Sequence, residues 1–192
     1  MTSIMSDYRN EFKHAGNFQE SMDVLAEITS TFGFTQVLYA YLPVRPRLPD
    51  GEWMPLKLNV RNFPTGWYSG WKNFEKDDPY YHFCFRGTLP FDWGDVQTNE
   101  NLNSREQDAW KYLADFGLHR GITTPIHLPG GRFAAISAIV DRPTANWSKI
   151  KSHSNSKLLC LTHIFHEIIH ERGFEKEIKY SLPIILFPLG SD

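Results

Sequence analysis

The sequence is poor in the features that mark several large classes of protein. Of its 192 residues only two are cysteine, Cys84 and Cys160, far apart and in apolar surroundings. Two buried free thiols in a reducing cytoplasm are therefore expected, rather than a disulfide framework. There is no basic surplus: 20 Lys and Arg stand against 22 Asp and Glu, a formal net charge of -2. Domains that grip nucleic acid through its phosphates carry a basic excess or stripe, so these residues are not expected to hold DNA themselves. No apolar run approaches the roughly 18 residues of a membrane span. Met1 to Asn10 lacks the apolar stretch of a secretory leader. A glycine-rich phosphate loop is also missing, because Pro129-Gly130-Gly131 reads as a hairpin turn. What is abundant is aromatic: 14 Phe, 8 Tyr and 6 Trp make up 15% of the chain. Rings in that number build a core or line a pocket for an apolar ligand, and composition does not separate the two.

Periodicity orders the chain as helix, strands, helices, strands, helix. Phe18, Met22, Leu25, Ile28 and Phe32 recur at helical spacing, and Gly33 follows as a stop. Phe34 to Leu42 is rich in β-formers and reads as a buried strand. A proline-rich loop follows, and Leu56 to Phe63 alternates as a half-exposed strand. The signals then predict a helix from Pro64 to about Glu75 and another from Asp78-Pro79 to about Phe85. A third is expected over Ser104 to Phe116, with Ser104 as its cap. Ile122 to Leu128 and Arg132 to Val140 form a hairpin, and Lys157 to Arg172 a last helix. This order predicts an α+β domain, an antiparallel sheet of about five strands flanked by helices. It would occupy residues 1–178, with 179–192 as a tail or the start of a linker.

One ordered set of residues says more: Asn62-Phe63-Pro64-Thr65-Gly66-Trp67, Trp71, Asp78-Pro79, and Leu89-Pro90-Phe91-Asp92-Trp93. Downstream come Gly121-Ile122-Thr123-Thr124-Pro125 and the hairpin into Phe133-Ala134-Ala135-Ile136-Ser137. Across roughly Phe18 to Ile169 the chain resembles the autoinducer-binding domain of LuxR-type quorum-sensing transcription factors. The resemblance implies an α/β/α sandwich that encloses an N-acyl-homoserine lactone between the sheet and one helical layer. It implies that the Trp67 indole donates to the lactone carbonyl and that Asp78 accepts from the ligand amide. Trp93 would pack on the lactone ring, Trp71 would line the pocket and Ser137 would contact the acyl carbonyl. Further pocket-wall residues are expected at Phe63, Tyr80, Tyr39, Tyr41, Leu113 and Ala135. Two features depart from the family pattern. Phe63 replaces its usual tyrosine, and the Trp67–Asp78 spacing is two residues shorter. The resemblance also implies a homodimer with no cofactor and no membrane contact. DNA would be reached only through a helix-turn-helix that these residues do not contain.

The chemistry is coherent without the family. A lactone joined to an amide offers two carbonyl acceptors and one N–H donor on an otherwise apolar molecule. Indole only donates and carboxylate only accepts, so Trp67 and Asp78 suit one of each. Plainer roles exist for all of these residues: core aromatics for the tryptophans, a helix cap for Asp78, a satisfied core hydroxyl for Ser137. A different sensor, with a PAS-like or GAF-like pocket, also fits. His166-Glu167-Ile168-Ile169-His170 is a literal zinc-hydrolase motif. A third ligand at the extended-motif position would have to be Lys176. The helix is explained without metal by Leu158, Leu161, Phe165 and Ile168 facing inward, which would leave the histidines largely toward solvent. The expectation is a sensor, not an enzyme.

Overall fold

In the computed structural model, residues 4–141 and 146–178 are described. The tail assigned to residues 179–192 lies outside them. A single sheet organises the domain, with order β2-β1-β5-β4-β3 and every pairing antiparallel. The strands are β1 (Gln36–Leu42), β2 (Lys57–Arg61), β3 (Phe91–Asp92), β4 (Arg120–His127) and β5 (Phe133–Val140). Helices α1 (Ile4–Glu11), α2 (Phe18–Thr31) and α7 (Trp147–Glu171) cover one face. The short helices α3 (Trp67–Trp71), α4 (Pro79–Phe83) and α5 (Trp93–Gln97) cover the other, together with α6 (Ser104–Asp115). This is the expected five-stranded α/β/α sandwich.

Side-chain alternation divides the sheet between two cores. Val37, Tyr39 and Tyr41 of β1 and Ala134 and Ile136 of β5 join Phe18, Met22, Leu25, Phe165 and Ile168 beneath α2 and α7. Leu38, Ala40, Ala135 and Ser137 turn to the opposite face. Tyr39 packs edge-on against Phe165, ring centroids 5.0 Å apart, and Phe165 meets Phe12 at 5.6 Å. Tyr39, Phe12, Phe18 and Phe165 are fully withdrawn from water here, each worth roughly 1.5–3 kcal/mol by area.

Several boundaries moved for identifiable reasons. The last helix begins at Trp147, ten residues before the expected Lys157. Its first turns, Ser148 to Ser156, are mostly polar and show no apolar period. Ser154 points inward and returns its hydroxyl to the Ile150 carbonyl at 2.6 Å. The helix expected over Pro64 to Glu75 shrinks to Trp67–Trp71 and continues as successive tight turns to Asp77. Asn103, not Ser104, caps α6 in a reciprocal capping box with Glu106. At the exit from β2, Asn62 takes a left-handed φ of 61° and donates to the Thr35 carbonyl. Asparagine is among the few non-glycine residues that accept this conformation cheaply, and it turns the chain toward α3.

Candidate functional site

Between the sheet and the short helices lies a cavity. It forms because the β1–β5 ladder places Ala40 directly opposite Ala135, both facing this side, which leaves the floor hollow. Leu38 and Ser137 pair one step along. The roof is aromatic. Trp67, Trp71, Phe63, Tyr80 and Trp93 all line the cavity, joined by Leu113 of α6. Phe63 tilts on Trp67 at 4.9 Å, and Trp67 on Trp71 at 6.2 Å.

A clasp holds this roof. The Tyr112 hydroxyl donates to the Trp67 carbonyl at 2.6 Å, tying α6 to α3. The ring passes directly beneath Gly70, where a Cβ would stand 2.3 Å from the phenol oxygen. Gly70→Ala should therefore expel Tyr112 and lower stability by about 1–3 kcal/mol, the usual penalty of overpacking. Urea denaturation would check it, and an unchanged midpoint would mean that the clasp carries no strain.

Asp78 caps α4: its Oδ1 accepts from the amides of Tyr80 at 2.9 Å and Tyr81 at 3.2 Å, with Pro79 at the first helical position. No hydrogen bond reaches Oδ2 from any described residue, and Asp78 lines the cavity. Burial pushes this carboxyl up to about 6, against the Tyr81 amide, His82 and the Tyr80 amide, while the Glu106 carboxylate adds to the rise. Capping and an open second oxygen coexist, so the cap role leaves the cavity role intact. His82 sits behind: Nδ1 lies 2.9 Å from Glu106 and Nε2 3.0 Å from the Lys76 carbonyl, with the ring stacked on Trp53. Both ring nitrogens thus face oxygen acceptors.

The other polar groups are already engaged. Trp93 donates its indole to Thr123 Oγ1 at 2.8 Å, and Thr123 shares a 2.8 Å bond with Ser137 Oγ. Tyr80 stacks on Trp93 with centroids 4.0 Å apart. By contrast, the indole N–H groups of Trp67 and Trp71 have no acceptor among the described residues. Among the residues that line the cavity, the Trp67 and Trp71 indoles, one Asp78 carboxylate oxygen and the Tyr81 hydroxyl thus have no hydrogen-bond partner among the described residues.

Of the residues expected in the pocket wall, Phe63, Tyr80, Leu113 and Ala135 are there and Tyr39 and Tyr41 are not. Strand parity sends both tyrosines to the other face, where the Tyr39 hydroxyl meets His166 Nδ1 at 2.9 Å. This also corrects the view that the histidines face solvent: His166 is 4% exposed, beneath the sheet, and His170 is half-buried, with only His163 exposed. Among the described residues no group of three or more His, Cys, Asp or Glu could hold a metal ion. Cys84 is buried and Cys160 half-buried, both unbridged. Leu56, Leu58, Tyr81, Cys84, Thr123 and Phe133 line the cavity without having been anticipated.

The sequence model of the autoinducer binding domain matches residues 17–169. The chain belongs to that family. Of the two sensor readings, the match bears out the autoinducer-binding one. Among curated relatives, the transcriptional activator protein BjaR1 of Bradyrhizobium diazoefficiens is 27% identical over 62% of this chain and 48% of its own length. The transcriptional activator protein TraR of Rhizobium radiobacter is 30% identical over 62% of this chain and 47% of its own. The chain therefore spans about half the length of the curated relatives it matches. Among solved structures, the N-acylhomoserine lactone dependent LuxR family factor CepR2 of Burkholderia cenocepacia superposes with a TM-score of 0.68. That match covers 88% of this chain and 95% of the other at 18% identity, a likeness of fold. No described helix of this autoinducer-binding domain is long and apolar enough to cross a membrane.

Proposed function

We propose that this autoinducer-binding domain encloses an N-acyl-homoserine lactone in the cavity under α3, α4 and α6, as the sensing part of a LuxR-type regulator. The reading rests on one observation above all: a largely apolar cavity lined by the Trp67 indole and the Asp78 carboxylate, each with a polar group that has no partner among the described residues. A lactone carbonyl and an amide N–H are the complementary pair. Trp67 donates to the first and Asp78 accepts from the second. Trp71, Phe63, Tyr80 and Leu113 enclose the ring end, and the alanine floor receives the acyl chain. Ser137 and Thr123 lie where the acyl carbonyl would pass. Phe63 brings no hydroxyl, so the acyl carbonyl is left to them. The domain is a binding module rather than an enzyme. It works in the cytoplasm as a homodimer, and DNA is contacted by a helix-turn-helix outside these residues.

A ligand that binds only the native state stabilises it by mass action, about 2.7 kcal/mol at a hundred times its Kd. In a thermal-shift series of lactones with graded acyl chains, one chain length should raise Tm by several degrees. Silence to all of them would remove this reading. Trp67→Phe keeps the ring but not the donor, and should weaken the best lactone by about tenfold. Unchanged affinity in isothermal titration would dismiss the assigned role of Trp67.

A further inference from the structure

Tyr81 stands in the first turn of α4, three residues after Asp78, and its amide donates to the Asp78 carboxylate. The residue lines the cavity and is 2% exposed. Its ring is fixed by Trp53 at 5.1 Å and by Phe85 and Phe133, each at 5.7 Å. Its hydroxyl is buried and has no hydrogen-bond partner among the described residues. The other hydroxyls of the cavity are all supplied: Tyr80 accepts from Gln97, and Thr123 and Ser137 bond each other. A buried hydroxyl left unpaired is destabilising, and phenylalanine would fill the same space without that penalty.

The position of this hydroxyl gives it a use. Tyr81 clusters with Leu42, Met54, Cys84, Phe133 and Ala135, the apolar end of the cavity, whereas Trp67, Trp71, Tyr80 and Trp93 cluster at the aromatic end. Asp78 caps α4 immediately ahead of Tyr80, which belongs to the aromatic end, and Tyr81, which belongs to the apolar end. An acyl-homoserine lactone whose amide is held at Asp78, with its ring among the tryptophans, sends its acyl chain past Tyr81. We propose that the Tyr81 hydroxyl reads an oxygen substituent on that chain, so that the preferred ligands carry an oxo or hydroxyl group close to the amide. A phenol donates to a ketone and both donates to and accepts from an alcohol. A plain methylene offers it nothing and shuts it in a drier cavity. A site built to pair such a group discriminates against the analogue that lacks it. The inference rests on the lactone reading above.

Isothermal titration against matched pairs separates the two. Octanoyl-homoserine lactone is compared with its β-oxo and β-hydroxy forms, on the wild type and on Tyr81→Phe. The wild type should bind an oxygenated form about tenfold more tightly, and Tyr81→Phe should lose that preference while holding the plain lactone within about twofold. Ligand-free Tyr81→Phe should melt no lower than the wild type, since it gives up a hydroxyl with no partner. Equal binding of plain and oxygenated chains by the wild type would overturn the proposal. So would a preference that survives in Tyr81→Phe, or an equal loss for every lactone, which would place the phenol on the amide carbonyl instead. Failure of the wild type to bind any lactone would overturn the parent reading and this one with it.

Discussion

Asp78→Asn is expected to weaken lactone binding by roughly ten- to a hundredfold and to leave the ligand-free domain at least as stable. The loss follows from the type of bond. A carboxylate that accepts from a buried amide makes a charge-assisted hydrogen bond worth about 1.5–3 kcal/mol, and asparagine keeps only a neutral acceptor. Stability is spared because asparagine caps helices about as well as aspartate, so the Tyr80 and Tyr81 amides stay paired. It rises slightly if anything, because burial has pushed the native carboxyl up to about 6, the mark of a charge that the fold holds at some expense. The same fact sets a pH dependence. As pH falls through about 6 the carboxyl takes up a proton, and wild-type affinity should slide toward that of Asp78→Asn. The variant itself should stay level across that range. Titrations of both proteins at neutral pH and near pH ~5 would check this, and parallel profiles would mean that the carboxylate does not touch the ligand.

A larger effect on the fold itself is expected from acid acting on His166. Burial drives its pKa from 6.5 down to about 3, helped by His170, His163 and Arg132, all of which disfavour a second positive charge there. Its Nδ1 is engaged by the Tyr39 hydroxyl, and the His170 ring lies 4.4 Å away. The unfolded chain protonates this histidine near its ordinary value while the native state resists. The native advantage is complete above about 6.5, and below that it falls by about 1.4 kcal/mol per pH unit until about 3. Between pH ~6.5 and ~4.5 the loss approaches ~3 kcal/mol, a large share of a marginal stability. Replacing both partners, Tyr39→Phe with His166→Leu, removes the titrating group without leaving an orphan hydroxyl. Urea unfolding across that range should show a flatter profile for the double variant. Identical slopes would place the acid sensitivity elsewhere.

Much of this is legible in the sequence because the cues are local. Phe18 to Phe32 and the Pro129-Gly130 hairpin announce themselves by period and by turn chemistry. Asp78-Pro79 announces a cap. The motif tryptophans needed their order along the chain, since each alone is an ordinary core ring. What stayed hidden depends on which face a strand shows. Gln36–Leu42 is buried on nearly its whole length, so nothing in its hydropathy separates Leu38 and Ala40, which face the cavity, from Tyr39 and Tyr41, which do not. Thr123 was within reach, because a turn centred on Gly130 sets it opposite Ser137. Tyr81 was masked by the run Tyr80-Tyr81-His82-Phe83, in which aromatic character says nothing of direction. The polar opening of α7 has no apolar period to read, and only the packing of Trp147 and Ser154 reveals it.

Phe91-Asp92-Trp93 ends in two residues that face opposite ways. Trp93 lies in the cavity wall, whereas Asp92, one peptide earlier, reaches to the far side. There its Oδ2 accepts from the Trp147 indole at 2.8 Å and from Lys151 at 3.1 Å. These bonds and the Gly94 amide hold its carboxyl below the ordinary range against the burial that would raise it. The edge strand of the sheet therefore serves both faces within two residues. One peptide unit thus joins a ring of the cavity wall to the charged clamp on the first turns of the longest helix.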